Sequence, residues 1–277
     1  MTRFSEPAGC HAIISSEYEL SLMPLSKNAK ILLSVVIISS VAVIVPIIGF
    51  SLMQPAGVHF TLLENAGVMI EAVGFRIYVD PINLPQSYAN LPADLVLITH
   101  PHEDHYQSAS INLIQKTETV NVFPASMPTA ITTHDGQGVQ PRDELEFGSV
   151  YVTAFFMYTF DVGGGEASHP IEENWTSYII EIDGVTFFHA GDSKNIPEYS
   201  ELQGRIDVAL LPLGPGCQTM ANEEVVEALE VIQPRYFVPI HYAEGANTEW
   251  LNAYAPQCTM CQIVSLAYWQ PTFFLPA

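Results

Sequence analysis

Thr99-His100-Pro101-His102-Glu103-Asp104-His105 is the stretch from which the fold is read, because it follows the apolar run Leu95-Val96-Leu97-Ile98 directly. A short run of branched apolar residues reads as a buried strand. Three histidines and two carboxylates therefore gather where a strand leaves its sheet. In extended chain, residues two apart point the same way, which aims His100 and His102 at one spot. Asp104 and His105 follow as the chain turns and face a second spot nearby. Neutral imidazole and carboxylate are the usual ligands of zinc. A single histidine here would be an incidental loop residue; His-x-His-x-Asp-His after a buried strand reads as half of a metal site.

Around this stretch lie 277 residues, room for one large domain or two small ones. Lys and Arg number 9 against 30 Asp and Glu, a net charge of −21. Such a surface repels phosphate backbones, and no basic stripe breaks it, so nucleic acid is disfavoured as a partner. The cysteines are Cys10, Cys217, Cys258 and Cys261. Cys258-Thr259-Met260-Cys261 is a lone C-x-x-C without the second pair a zinc site needs; it reads as a structural disulfide or two inert thiols.

Residues 1–30 are polar and without periodicity. Ile31 to Met53 carries no charge over 23 residues, enough for a helix to cross a bilayer of about 30 Å. Pro46 and Gly49 are tolerated in such a span. Lys27 and Lys30 precede it and no base follows until Arg76, so a single-pass anchor would leave the N-terminus cytoplasmic and the remainder extracytoplasmic. The competing reading is a cleaved signal peptide with translation starting at Met23 and a secreted product. Against it, the run is long and no A-x-A site follows in 50–57.

From Gly57 to the end at 277, one domain is expected. Strand-like pieces cover His59–Leu63, Val68–Ala72, Phe75–Val79, Leu95–Thr99, Val120–Phe123 and Val150–Phe156. Further strands cover Thr176–Ile182, Val185–His189, Val208–Leu213 and Tyr236–Ile240. Helices are expected near Ser108–Lys116, Ala125–Thr132 and Ala221–Ile232, the last with Val225, Val226, Leu229 and Ile232 on one face. Two β-rich halves with helices outside make a layered α/β sandwich.

Four later positions place a ligand-type residue at a strand end or in a loop: His169, His189, Asp192 and His241. One metal would take His100, His102 and His169; a second would take Asp104, His105 and His241; Asp192 would bridge them. His189 reads as packing or as a partner of a ligand, and His59 and His134 as bystanders.

These residues carry a resemblance. Val79-Asp80-Pro81, Thr99–His105, His169-Pro170, Phe188-His-Ala-Gly-Asp-Ser193, Asp207–Leu213, Thr219-Met220 and Pro239-Ile-His241 resemble the metallo-β-lactamase fold superfamily, in its metal-dependent hydrolases that include ascorbate-6-phosphate lactonase-like proteins. The resemblance spans about 57–255. It implies a four-layer αββα sandwich, two divalent metals at one sheet edge, and the same ligand set. It also implies Asp80 near the metals; Thr99 and Ser193, and His189 if it does not merely pack, are this sequence's candidates to hydrogen-bond the ligands. Glu172–Ser177 and Gly214–Gln218 depart from the family pattern, and Cys217 falls in the second departure; both alter the pocket wall rather than the ligands.

The implied reaction is hydrolysis of an ester, lactone or phosphodiester by a metal-bridging hydroxide that Asp104 orients and whose proton Asp104 takes up. The metals are expected to be two Zn2+, with Mn2+ as the other choice, and the substrate a small molecule or lipid. A catalytically idle metal- or partner-binding domain displayed on the membrane is the reading from another class. A phospholipid-directed phosphodiesterase is the variant that would use the anchor.

Overall fold

The computed structural model describes residues 57–160, 165–214, 218–243 and 245–274. The span expected at 31–53, Cys10 and Cys217 lie outside them. Among the described residues no helix is long and apolar enough to cross a membrane.

The first half forms β1 (Val58–Leu62), β2 (Val68–Ala72), β3 (Phe75–Val79), β4 (Leu95–Leu97), β5 (Val120–Pro124) and β6 (Gln137–Val139). These make a sheet of order β14-β1-β2-β3-β4-β5-β6, closed at one edge by β14 (Pro271–Phe274) from the end of the chain. The second half forms β7 (Glu144–Phe147), β8 (Val150–Phe156), β9 (Thr176–Ile182), β10 (Val185–His189), β11 (Val208–Pro212), β12 (Tyr236–Ile240) and β13 (Gln262–Ile263). Its order is β13-β12-β11-β10-β9-β8-β7.

The sandwich follows from which side of each strand is apolar. Leu95 and Leu97 of β4 face the core between the sheets, with Val208 and Leu210 of β11 and Val238 and Ile240 of β12. Val96 and Ile98 face outward onto Ile111 and Ile114 of α1 (Ser108–Ile114) and Ala130 of α2 (Pro128–Thr133). Ala209, Leu211 and Phe237 face outward onto Val225, Leu229 and Ile232 of α3 (Asn222–Ile232) and Trp250 of α4 (Ala246–Ala253). A strand covered on both faces must be apolar at every position, which is why these runs do not alternate. The expected four layers are the observed ones.

Several elements differ from expectation. β6 and β7 are short strands at sheet edges with exposed Gln137, Glu144 and Glu146, so no apolar run announces them. The helix expected at Ala125–Thr132 starts at Pro128, whose fixed φ suits a first helical position. α4 was not expected; only Trp250 on it is buried, too little to make a periodic face.

The topology also assembles one edge. β3, β4 and β5 run parallel, as do β10, β11 and β12. Residues just after the carboxyl ends of parallel strands emerge together: Asp80 after β3, the histidine cluster after β4, Asp192 after β10 and His241 after β12. β9 runs antiparallel to β10, so its beginning, with Trp175 and His169 upstream, meets the same edge.

Candidate metal centre

At that edge the ligand-type atoms form two groups, His100, His102, His169 and Asp192, and Asp104, His105 and His241. His102 Nδ1 and His169 Nε2 lie 3.1 and 3.3 Å from His100 Nε2. His169 Nε2 is 3.5 Å from Asp192 Oδ2. In the second group His241 Nε2 is 3.2 Å from Asp104 Oδ2 and 3.3 Å from Asp192 Oδ2, and His105 Nε2 is 3.1 Å from Asp192 Oδ1. By distance Asp192 therefore belongs to both groups, one oxygen reaching His105 and the other His169 and His241. Donors about 2.0–2.1 Å from a tetrahedral zinc lie about 3.3–3.4 Å from one another; the pairs above stand near that spacing, while His100 Nε2 to Asp192 Oδ2 and His105 Nε2 to Asp104 Oδ2 are wider at 3.9 Å.

Hydrogen bonds behind the rings decide which nitrogen faces inward. Thr99 Oγ1 gives its one proton to Asp80 Oδ2 at 2.6 Å, so at 2.9 Å it accepts from His100 Nδ1, leaving His100 Nε2 bare. His105 Nδ1 donates to Asp80 Oδ2 at 2.8 Å, and His169 Nδ1 meets Ser168 Oγ at 2.8 Å. Asp80 also accepts the Thr99 N–H through Oδ1 at 2.8 Å. It does so from a left-handed backbone with φ 45°, a conformation that non-glycine residues hold only where the surroundings demand it.

Burial makes the arrangement costly without a cation. His100, His105, His169 and Asp192 are fully buried, and His105 Nε2 and both Asp192 oxygens have no hydrogen-bond partner. Asp192 Oδ1 is near enough to His105 Nε2 for ionic attraction but lacks hydrogen-bond geometry. Burial, then the charge of His105, hold His100 well below the ordinary imidazole range. Burial works against a charge on His105 too, yet Asp192 and Asp80 outweigh it and hold this ring well above that range. For Asp192, burial opposes ionisation, but His105 and its other histidine neighbours keep the carboxyl well below the usual carboxylate range. Bare nitrogens and orphaned carboxylate oxygens converging in a dry site are what a bound divalent cation satisfies. The residues fit a metal.

Gly191 allows the close approach of these parts: a Cβ there would stand 2.6 Å from Met157 Sδ and 3.2 Å from Thr99 Cβ. Lys194, two residues past Asp192, reaches Glu224 Oε2 at 2.7 Å, and that oxygen also takes the Ala221 N–H at the start of α3. The strand end carrying Asp192 is thereby tied to a helix.

His189 is fully buried and touches no ligand-type atom through a hydrogen bond; its Nε2 bonds the carbonyl of Ala66 at 2.7 Å. Ser193 Oγ turns to the carbonyls of Lys194 and Tyr158 at 3.0 and 3.4 Å, away from the ligands. His134 is buried beside Tyr106 and Ser108, away from the centre.

Two residues of the centre carry no ligand signature in sequence. Trp175 covers the first group, its ring 5.2 to 5.4 Å from those of His100, His102 and His169. Asn65, in the β1–β2 turn, donates through Nδ2 to Asp104 O at 3.0 Å and reaches Asp104 Oδ2 at 3.4 Å. Its carbonyl accepts the His241 N–H at 3.1 Å. One turn residue thus holds two members of the second group. No ligand pattern points to it; only its place in an Asn-Ala-Gly turn does.

Residues 59–241 match the family model described as the beta-lactamase superfamily domain. A UPF0173 metal-dependent hydrolase of Pyrococcus furiosus is 31% identical over 201 residues, covering 67% of this chain and 84% of its own length. A UPF0173 protein of the same organism is 30% identical over 189 residues, covering 67% and 83%. Among solved structures, Igni18, a metallo hydrolase from the hyperthermophilic archaeon Ignicoccus hospitalis, superposes with a TM-score of 0.66 at 22% identity, over 79% of this chain and 98% of its own. That last likeness is one of fold.

Proposed function

This chain belongs to the metallo-β-lactamase superfamily, among its UPF0173 metal-dependent hydrolases, and from that premise we propose that it is a dinuclear zinc hydrolase of esters, lactones or phosphodiesters. The observation that supports two ions is the double reach of Asp192, whose oxygens face donors of both groups. Bound there, divalent ions would supply Lewis acidity and a water acidic enough to ionise near neutral pH.

The chain's own residues then divide the work. His100, His102 and His169 would hold one ion, and Asp104, His105 and His241 the other, with Asp192 between. Asp80 and Thr99 orient His105 and His100 and fix their tautomers, which raises ligand basicity. Asp104 is the least buried ligand carboxylate, its side chain 45% exposed against 0% for Asp192. The bond to His241, working against partial burial, keeps it ionised, and as an exposed acceptor it is placed to orient an attacking water. Trp175 covers one side of the first group, whose His102 stays partly exposed.

Replacing His102 and Asp192 together by Ala is expected to abolish both metal content and EDTA-sensitive hydrolysis of generic ester, lactone and phosphodiester substrates. Full zinc stoichiometry in that double variant, by elemental analysis, would sink the ligand assignment. A wild-type protein that holds two zinc ions yet hydrolyses none of the three classes would instead favour an idle metal-binding domain. The uncharged run at 31–53 supports a membrane-anchored, extracytoplasmic placement of this activity. Protease protection of the hydrolase domain in intact spheroplasts would contradict it.

A further inference from the structure

His169 reaches the first group from the connection between β8 and β9, and two successive N–H groups there are both taken by side chains. The His169 N–H donates to Thr159 Oγ1 at 3.1 Å, and the Ser168 N–H donates to Gln218 Oε1 at 2.8 Å. The other end of the same amide, Gln218 Nε2, donates to the Glu166 carbonyl at 3.2 Å. Gln218 belongs to a different part of the chain, 50 positions on from Ser168 and just past β11. We propose that Gln218 is a positioning residue of the metal centre: its amide grips the segment 166–168 and, through Ser168, sets the ring of His169. The proposal rests on the hydrolase reading above and adds to it a residue that no ligand pattern marks.

The line of contacts is short. Ser168 Oγ lies 2.8 Å from His169 Nδ1, while His169 Nε2 is the nitrogen that faces His100 and Asp192. A neutral ring that gives Nε2 to a metal carries its proton on Nδ1, so Ser168 Oγ must stand there to accept it. Behind His105, and behind His100 by way of Thr99, that duty falls to the buried carboxylate of Asp80. Behind His169 it falls to the hydroxyl of a half-buried loop residue, which holds its place only as well as its backbone is held. Gln218 is a firm base for that hold. Its own backbone is left-handed at φ 59°, a conformation that non-glycine residues keep where the surroundings demand it. The two residues after it are fully buried: Thr219 donates through Oγ1 to the Gly214 carbonyl at 2.6 Å, and Met220 packs in the core beneath α3. A glutamine facing water would leave its amide to solvent; this one commits both ends to the three residues preceding a metal donor. The segment 214–218 departs from the resembled pattern, and through Gln218 the departure reaches a ligand as well as the pocket wall.

Three variants of the full-length chain test this. Gln218→Met keeps the reach of the side chain without its amide, Gln218→Glu keeps an acceptor for the Ser168 N–H, and Ser168→Ala removes the hydroxyl behind the ring. In chelator competition on zinc-loaded protein, Ser168→Ala is expected to weaken one ion by about tenfold or more, and Gln218→Met by about fivefold or more. The double variant should be no weaker than Ser168→Ala, because residues that act through one another do not add. Gln218→Glu should stay within about twofold of the parent. A second measurement needs no zinc: the ring nitrogen shifts of His169 in the metal-free chain, read by long-range proton–nitrogen NMR and assigned by their loss in His169→Gln. These should move in Gln218→Met toward their values in Ser168→Ala and return in Gln218→Glu. Shifts and zinc affinity unchanged in Gln218→Met, losses that add in the double variant, or a loss that Gln218→Glu does not restore would each overturn the proposal. A chain that binds no zinc while its His169 shifts follow Gln218 would sink the hydrolase reading and still support the hold of Gln218 on the ring.

Discussion

Asn65 stands in the left-handed region at φ 57°, and from there one amide and one carbonyl secure Asp104 and His241. Groups that hold metal ligands in place typically affect affinity by about 10–100-fold. On the proposed two-zinc reading, Asn65→Ala is therefore expected to weaken one ion by about that factor while leaving the other, as read by chelator competition. Asn65→Gly keeps the left-handed backbone without the amide and should behave alike; if only the Ala variant weakens zinc, backbone conformation rather than the amide is responsible. His134 offers a second residue-level prediction. Burial depresses its pKa, so the folded chain takes up fewer protons there than the unfolded one, whose histidine titrates near about 6.5. The stability it contributes is present above about pH 6.5 and is lost as pH falls from there toward the depressed value. Urea midpoints at pH 7.5 and 5.5 should lie closer together in His134→Gln than in the parent; an unchanged gap refutes the assignment. The candidate metal donors were legible because His and Asp announce their chemistry by type. Asn65 and Trp175 were not, since an amide in a turn and an indole before a strand have ordinary uses everywhere.

Two hairpins turn on paired left-handed residues, Val73-Gly74 between β2 and β3 and Asp183-Gly184 between β9 and β10. Such two-residue turns favour Asn or Asp before Gly. Asp183-Gly184 fits and was readable as a turn from its dipeptide. Val73 is branched, 63% exposed and at φ 47°, where a Cβ crowds the following carbonyl at a cost of about 1–2 kcal/mol. Val73→Asn should relieve much of this, raising stability by about 1 kcal/mol in thermal or urea unfolding; a lower midpoint would show that Val73 makes a contact worth more than its strain. At this scale the inner strands were readable because each is apolar on both faces, and β10 and β12 fall where expected. The edge strands β6 and β7 were hidden by the same logic reversed. An edge strand half in solvent is built from polar residues, and its pairing is decided by the neighbour it finds rather than by its own pattern.

At the scale of the whole molecule, the centre is a joint between the two sheets. His100 to His105 leave one sheet; Asp192 and His241 leave the other; the Thr176 N–H bonds the Thr99 carbonyl at 3.1 Å across the gap. A ligand that binds only this closed form stabilises it by mass action, about 2.7 kcal/mol at a hundredfold excess over its dissociation constant. Zinc should therefore raise the melting temperature of the hydrolase domain by about 5–10 °C and EDTA should reverse it; a melting temperature indifferent to both would mean the joint closes without metal. The centre was readable from sequence as a set, because its members recur at strand ends. The open cleft beside it, lined by residues from Glu64 to Tyr268, was not, since its wall is drawn from positions that share no spacing. The distance along the chain has its own consequence. Asp104 and His241 meet across 137 positions, so during synthesis the early histidines emerge long before the residues that complete either ion's cage. A nascent chain can hold metal only loosely and exchangeably. For the second group, which is complete only when residue 241 meets residue 104, the ion held would then be set by the metal supply where the chain folds.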